Sequence, residues 1–124
     1  MIKFLNLIIG GVSGTLARYL FSGFIYRIFG TTFPYGTLAV NLSGCLIVGF
    51  LASLSEKKFL LDPNARILLM VGFCGAFTTF STFILETSNL LRDGETVRAF
   101  WNVMGCVAIG FVLFRIGFWI GEII

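Results

Sequence analysis

"GFCGAFTTFSTF", residues 72–83, falls where the third of four apolar stretches should cross a membrane. It holds four hydroxyls (Thr78, Thr79, Ser81, Thr82), four phenylalanines (Phe73, Phe77, Phe80, Phe83), two glycines and no charge. A helix that only had to dissolve in lipid would be built from Leu, Ile and Val. Glycine costs a helix ~1 kcal/mol relative to alanine. Ser and Thr can bond back to a carbonyl one turn earlier, which bends the axis. The stretch therefore predicts a helix broken near mid-membrane, opening its backbone at Gly72 and Gly75. Irregular backbone at that depth is tolerated only inside a protein or around a cavity. Freed carbonyls there can bind a cation, and helix N-termini can face an anion. Thr79 and Thr82 share one face, and Phe80 and Phe83 share an adjoining one. A ring is positive at its edge, so edge-on rings can meet an anion without a fixed charge that would trap it. Spacing alone also accommodates a packing role, because Ser and Thr are common in spans, Phe suits lipid and Gly suits close contact.

The rest of the chain supports a membrane setting. Of 124 residues, 57% are hydrophobic and 12% charged, with a mean hydropathy of +0.97. A soluble domain needs more charge than that to cover its surface. A spanning helix takes ~20 residues, so spans read at 4–29, 36–54, 67–91 and 99–123 use most of the length. The expected fold is an all-α integral membrane protein: one domain, residues 1–124, of four transmembrane helices with the third broken. "GTTFPYG" (30–36) reads as a turn, "SEKKFLLDPNAR" (55–66) as the most polar loop and "RDGETVR" (92–98) as the last loop. Lys3 before the apolar run 4–17 looks somewhat like a secretory leader. "GTLARY" makes a poor cleavage site, however, so a retained helix is expected. Gly10 with Gly14, and Gly117 with Gly121, form GxxxG pairs suited to close helix contact.

Polar residues inside spans are costly and are candidates for function. Thr37, Asn41 and Gly44 follow i, i+4, i+7 spacing on one helix face. They offer a hydroxyl, an amide and a gap, for a pore or for a helix–helix bond. Arg18 keeps its proton and either snorkels or marks an anion-attracting vestibule. Glu86, late in span three, either lines a pore exit or snorkels. Arg115, Trp101 and Trp119 read as interfacial anchors. Cys45, Cys74 and Cys106 read as packing thiols. No histidine, acidic pair or nucleophile motif is present, which argues against an enzyme, and no feature suggests nucleic acid.

Topology is nearly undetermined by charge. One side would hold four basic residues (Lys3, Lys57, Lys58, Arg66) and the other three (Arg27, Arg92, Arg98). The rule that places basic loops in the cytoplasm then gives no clear instruction. Dual insertion and an antiparallel dimer are one expectation; ordinary scatter in a short protein is the other.

"GGVSGTLARY" (10–19), "GTLAVNLSG" (36–44) and "GFCGAFTTFSTF" (72–83) together resemble the signature blocks of the Fluc, or CrcB-type, fluoride channels. Length and span layout match as well. The resemblance implies a multi-pass protein of the inner or plasma membrane that lets fluoride leave the cell passively, selecting strongly against chloride. It further implies an antiparallel, dual-topology homodimer with two pores. A structural sodium ion would lie on the dimer axis, held by backbone carbonyls of Gly75 and Thr78. Phe80 and Phe83 correspond to the paired pore rings and Asn41 to the pore asparagine. Ser81 and Thr82 match the adjoining hydroxyl positions, and Arg18 the vestibule arginine. From the residues themselves, Thr79, Thr37 and Glu86 join the expected pathway. Some relatives carry hydroxyls along the fourth helix, where this chain has Cys106 and Gly110.

Two rivals are weaker. A small proton-coupled multidrug exporter would resemble its kin in a carboxylate within the first span, yet residues 1–55 contain no Asp or Glu. A non-transporting assembly subunit would need no donor track such as Asn41 and the 78–82 hydroxyls provide.

Overall fold

The computed structural model describes residues 1–124, which form helices, turns and no strand. Helix α1 (Ile2–Phe29) ends at Gly30, whose φ of 84° suits glycine and whose N–H reaches the Tyr26 carbonyl. Helix α2 is Tyr35–Glu56. The third span, Pro63–Arg92, is two helices, α3 (63–77) and α4 (Phe80–Arg92). It starts earlier than the hydropathy predicts, because Asp62 caps it by accepting from the Ala65 N–H at 3.0 Å, with Pro63 in the first helical position. Gly94, with φ 78°, turns the chain into helix α5 (Thr96–Ile123). Ile67–Cys74 within α3 and Gly105–Ile109 within α5 are wound wider, as π-helix.

All four spans are long and apolar enough to cross a membrane. Their outer surface carries exposed Phe4, Ile8, Phe111 and Trp119, while Asn41, Ser53, Thr87 and Asn102 are buried. That inversion fits lipid as the solvent: Asn41, Thr87 and Asn102 find internal hydrogen-bond partners, while the Ser53 hydroxyl has none. The expected GxxxG contacts form. A Cβ on Gly10 would strike the Leu68 carbonyl oxygen, and one on Gly14 the Phe73 carbonyl oxygen, so α1 lies directly on the α3 backbone. On the other side, Gly117 sits on the Leu46 carbonyl and Gly49 on the Phe114 carbonyl, locking α2 to α5 reciprocally.

The break is real but displaced from its expected position. Gly75 is helical, with φ −62° and ψ −36°, and Gly72 lies within the π-helical stretch. The chain instead leaves the helix at Thr78 (φ −83°, ψ 157°) and Thr79 (φ −149°, ψ 113°). Gly72 serves packing, with its Cβ position 3.0 Å from the Gly10 Cα. The hydroxyl residues open this helix, and Gly72 brings it close to α1.

Candidate functional site

Extended backbone at Thr78 and Thr79 costs α3 its last carbonyl partners and leaves the first N–H groups of α4 without acceptors. Local chemistry repairs part of this. The Thr78 hydroxyl bonds back to the Cys74 carbonyl at 2.9 Å. Thr79 caps α4: its hydroxyl accepts from the Thr82 N–H at 3.3 Å and donates to the Thr82 hydroxyl at 3.0 Å. Asn41, reaching over from α2, supplies the rest. Its Nδ2 donates to the Thr79 carbonyl at 3.0 Å, and its Oδ1 accepts from the Thr79 N–H at 2.8 Å. The Arg18 Nε donates to the Ala76 carbonyl at 3.1 Å, placing a cation at the C-terminal end of α3 where the helix dipole favours it.

Two cavities meet at Thr79. A polar pocket of 140 Å³ is lined by Arg18, Thr37, Thr79, Thr82 and Glu86, with Ser22 and Tyr26 among the remainder. Within it Thr37 donates to Glu86 Oε1 at 2.8 Å, and the Tyr26 and Thr37 hydroxyls lie 3.5 Å apart. Glu86 Oε2 is buried and has no hydrogen-bond partner. Tyr26 and Glu86 also line a wider mouth of 810 Å³ bounded by Thr31–Pro34 and Arg98. Across Thr79 lies a groove of 330 Å³, lined by Asn41, Phe80, Phe83, Cys45 and Cys106 among others. The Phe80 and Phe83 rings are 6.0 Å apart and tilted at 46°. Phe83 is 5% exposed and Phe80 is 74% exposed. Behind Phe83, Asn102 donates to the Thr87 hydroxyl at 2.9 Å, which donates to the Phe83 carbonyl at 2.7 Å, tying α4 to α5.

Most residues singled out from the sequence therefore converge on the break. Ser81 and Gly75 do not: both are exposed and line neither cavity. Phe73 and Phe77 stack at 5.6 Å as packing residues. Sequence reasoning missed Ser22 and Tyr26, although their i+4 and i+8 spacing from Arg18 puts them on its helix face. It also missed Asn102, an amide within the fourth span. Cys106 lines the groove beside Asn41, in the fourth-helix stretch where some relatives of the resembled family carry hydroxyls.

This is a multi-pass membrane protein whose interior is organised around a polar helix break, with cavities on both sides of it. A family model for CrcB-like proteins (Camphor Resistance) matches residues 5–118. The chain belongs to the CrcB-like family. It is 42% identical over 124 residues to a protein of Maridesulfovibrio salexigens named Fluoride-specific ion channel FluC, covering 100% of this chain and 98% of that one. Proteins of the same name from Citrifermentans bemidjiense (48% over 94 residues, 76% of each chain) and Nitrosococcus oceani (41% over 116 residues, 94% of this chain and 93% of that one) are also similar.

Proposed function

We propose that this protein is a fluoride-selective channel through which cytoplasmic fluoride leaves the cell passively. The observation that carries the reading is the run of hydrogen-bonding groups from Tyr26 and Thr37 through Thr79 and Thr82, ending at the Phe80/Phe83 pair across the break. Fluoride is small and strongly hydrated, so its pathway must replace water with donors at several weak sites in series. The Thr82 hydroxyl, which accepts from Thr79 and keeps its own proton, and the positive ring edges supply such contacts, whereas the Thr37 and Thr79 protons are given to Glu86 and Thr82. Arg18 lines the same polar pocket and supplies a positive potential near its wall. Glu86 lies between pocket and mouth, at the exit of the proposed path. The relatives' shared name supports the same reading.

The working unit in this proposal is an antiparallel homodimer with two pores. Phe80, Ser81 and Gly75 lie exposed on the third span beside the break. Uncovered irregular backbone is unfavourable in hydrocarbon, so a second copy over this face would complete the site. The same face suits the structural sodium ion implied by the family resemblance. No side-chain, cap or loop donor reaches the Gly75 or Thr78 carbonyl oxygen, whereas the intervening Ala76 carbonyl is taken by Arg18. Uncharged carbonyl oxygens are the donor type that a hard cation takes. Gly75 and Thr78 of both copies would hold it, and when bound it would supply a fixed positive field between the pores.

Purified protein in liposomes is expected to release fluoride, and not chloride, under a potassium gradient with valinomycin. A fluoride electrode reads the efflux. No fluoride flux from a folded dimer would sink the proposal. Reporter fusions at the C-terminus are expected to report both orientations in comparable amounts, and a uniform orientation would refute dual topology.

A further inference from the structure

The face of α2 that carries Thr37, Asn41 and Gly44 is laid against the broken span residue by residue. Thr37 meets Glu86 at 2.8 Å. Gly44 leaves room for the Thr78 methyl group, which occupies the place a Cβ there would need. Between them Asn41 engages the N–H and the C=O of Thr79 together, at 2.8 and 3.0 Å. Along one edge a carboxamide presents an N–H donor beside a C=O acceptor, the pattern that one residue's own N–H and C=O present to the opposite residue of an antiparallel ladder. Ser and Thr offer a single atom, and ionised Asp offers no donor. Thr79 has extended backbone but no strand beside it, so the Asn41 side chain acts as its partner.

We infer that Asn41 is a positioning residue. It replaces the backbone partners that Thr79 gave up on leaving the helix, and so fixes the direction of the 75–78 backbone. Its first role in this chain is to hold the break open in one conformation. Any effect on ions passes through the carbonyls and rings that this conformation presents. Without Asn41 the Thr79 N–H and C=O lose partners in a part-buried site, and the segment is free to rewind or to fluctuate. The step from this backbone to ion conduction rests on the fluoride-channel reading; the backbone role does not.

Hydrogen–deuterium exchange on the full-length protein in detergent or nanodiscs tests it. Asn41→Leu keeps the side chain's size and removes both hydrogen bonds. Exchange in peptides covering 74–83 is expected to quicken about tenfold or more, as for loss of one well-made buried hydrogen bond. Peptides from α1 and α5 should stay at the wild-type rate, which a general loss of stability would not allow. Phe80→Ile, in the same segment but with no hydrogen bond to break, should leave 74–83 protected. If Asn41→Leu does not fold, Asn41→Ser carries the same expectation with a smaller side chain. Wild-type protection of 74–83 in the folded variant, together with reduced fluoride flux, would overturn the inference and make Asn41 a direct pore contact. If the parent chain itself conducts no fluoride while Asn41→Leu still quickens local exchange, the channel reading falls and this inference stands.

Discussion

Gly117→Val is expected to abolish the folded protein, measured as loss of the monodisperse peak on size-exclusion chromatography in detergent. The reason lies in what faces the glycine. A Cβ at position 117 would overlap the Leu46 carbonyl oxygen and lie 3.0 Å from the Phe50 nitrogen. Both are backbone atoms of α2 and cannot rotate aside. Overpacking among flexible side chains costs ~1–3 kcal/mol, and a backbone-on-backbone clash belongs at or above the top of that range. Gly49 stands in the mirrored position against the Phe114 carbonyl, so relieving one clash by sliding α5 worsens the other contact. Lipid gives no hydrophobic drive to bring the helices together again, because tails are as apolar as side chains. Gly23→Ala is the control. Nothing lies within 4 Å of its Cβ position, and α1 is continuous there. It should fold as well as the parent chain, since alanine is the better helix former. A wild-type elution profile for Gly117→Val would remove this contact from the account of the fold.

The four spans were legible because hydropathy over ~20 residues is a strong signal, and the GxxxG spacings located both close helix contacts. Hydroxyl clustering at 78–82 marked the broken helix. The residue at which it breaks was not legible. Glycine propensity pointed to Gly72 and Gly75, but propensity is a weak term beside tertiary partners. Gly72 is held in helix by its contact with Gly10, while Asn41, 38 positions away in sequence from Thr79, provides partners only for an unwound residue. Such a distant pairing leaves no local trace.

The candidate site shows the same division. Asn41, Thr37, Glu86 and the Phe80/Phe83 pair were singled out as intramembrane polar groups or by spacing, and the structure brings them together around Thr79. What could not be read was how their hydrogen-bonding capacity is used. The Thr79 hydroxyl is engaged in capping α4, and one edge of the Asn41 amide is engaged with Thr79. Counting donors in sequence overstates those available to an ion, because part of that capacity holds the break itself.

Phe80→Ile is expected to slow fluoride efflux about two- to tenfold while dimers still form. Isoleucine keeps an apolar side chain and removes the ring, so the variant isolates the ring's quadrupole. Contacts of that kind are worth ~0.5–1.5 kcal/mol beyond burial, and ~1.4 kcal/mol on a barrier is a factor of ten in rate. Phe80 is the cleaner of the two positions. It is 74% exposed in the single chain, so little internal packing depends on it. Phe83 is 5% exposed and backed by the Thr87–Asn102 hydrogen bond. Phe83→Ile should therefore lower flux and also cost ~1 kcal/mol or somewhat more of stability. Efflux normalised to the amount of folded dimer separates these two effects. If the rings meet the ion, both variants lose flux after normalisation, whereas Phe83→Ile alone also loses melting temperature. Unchanged normalised flux in both would take the aromatic pair out of the pathway. The groove at Asn41 and Cys106 would then be a packing defect beside the break, and conduction would have to run through the pocket of Thr37, Thr82 and Glu86 alone.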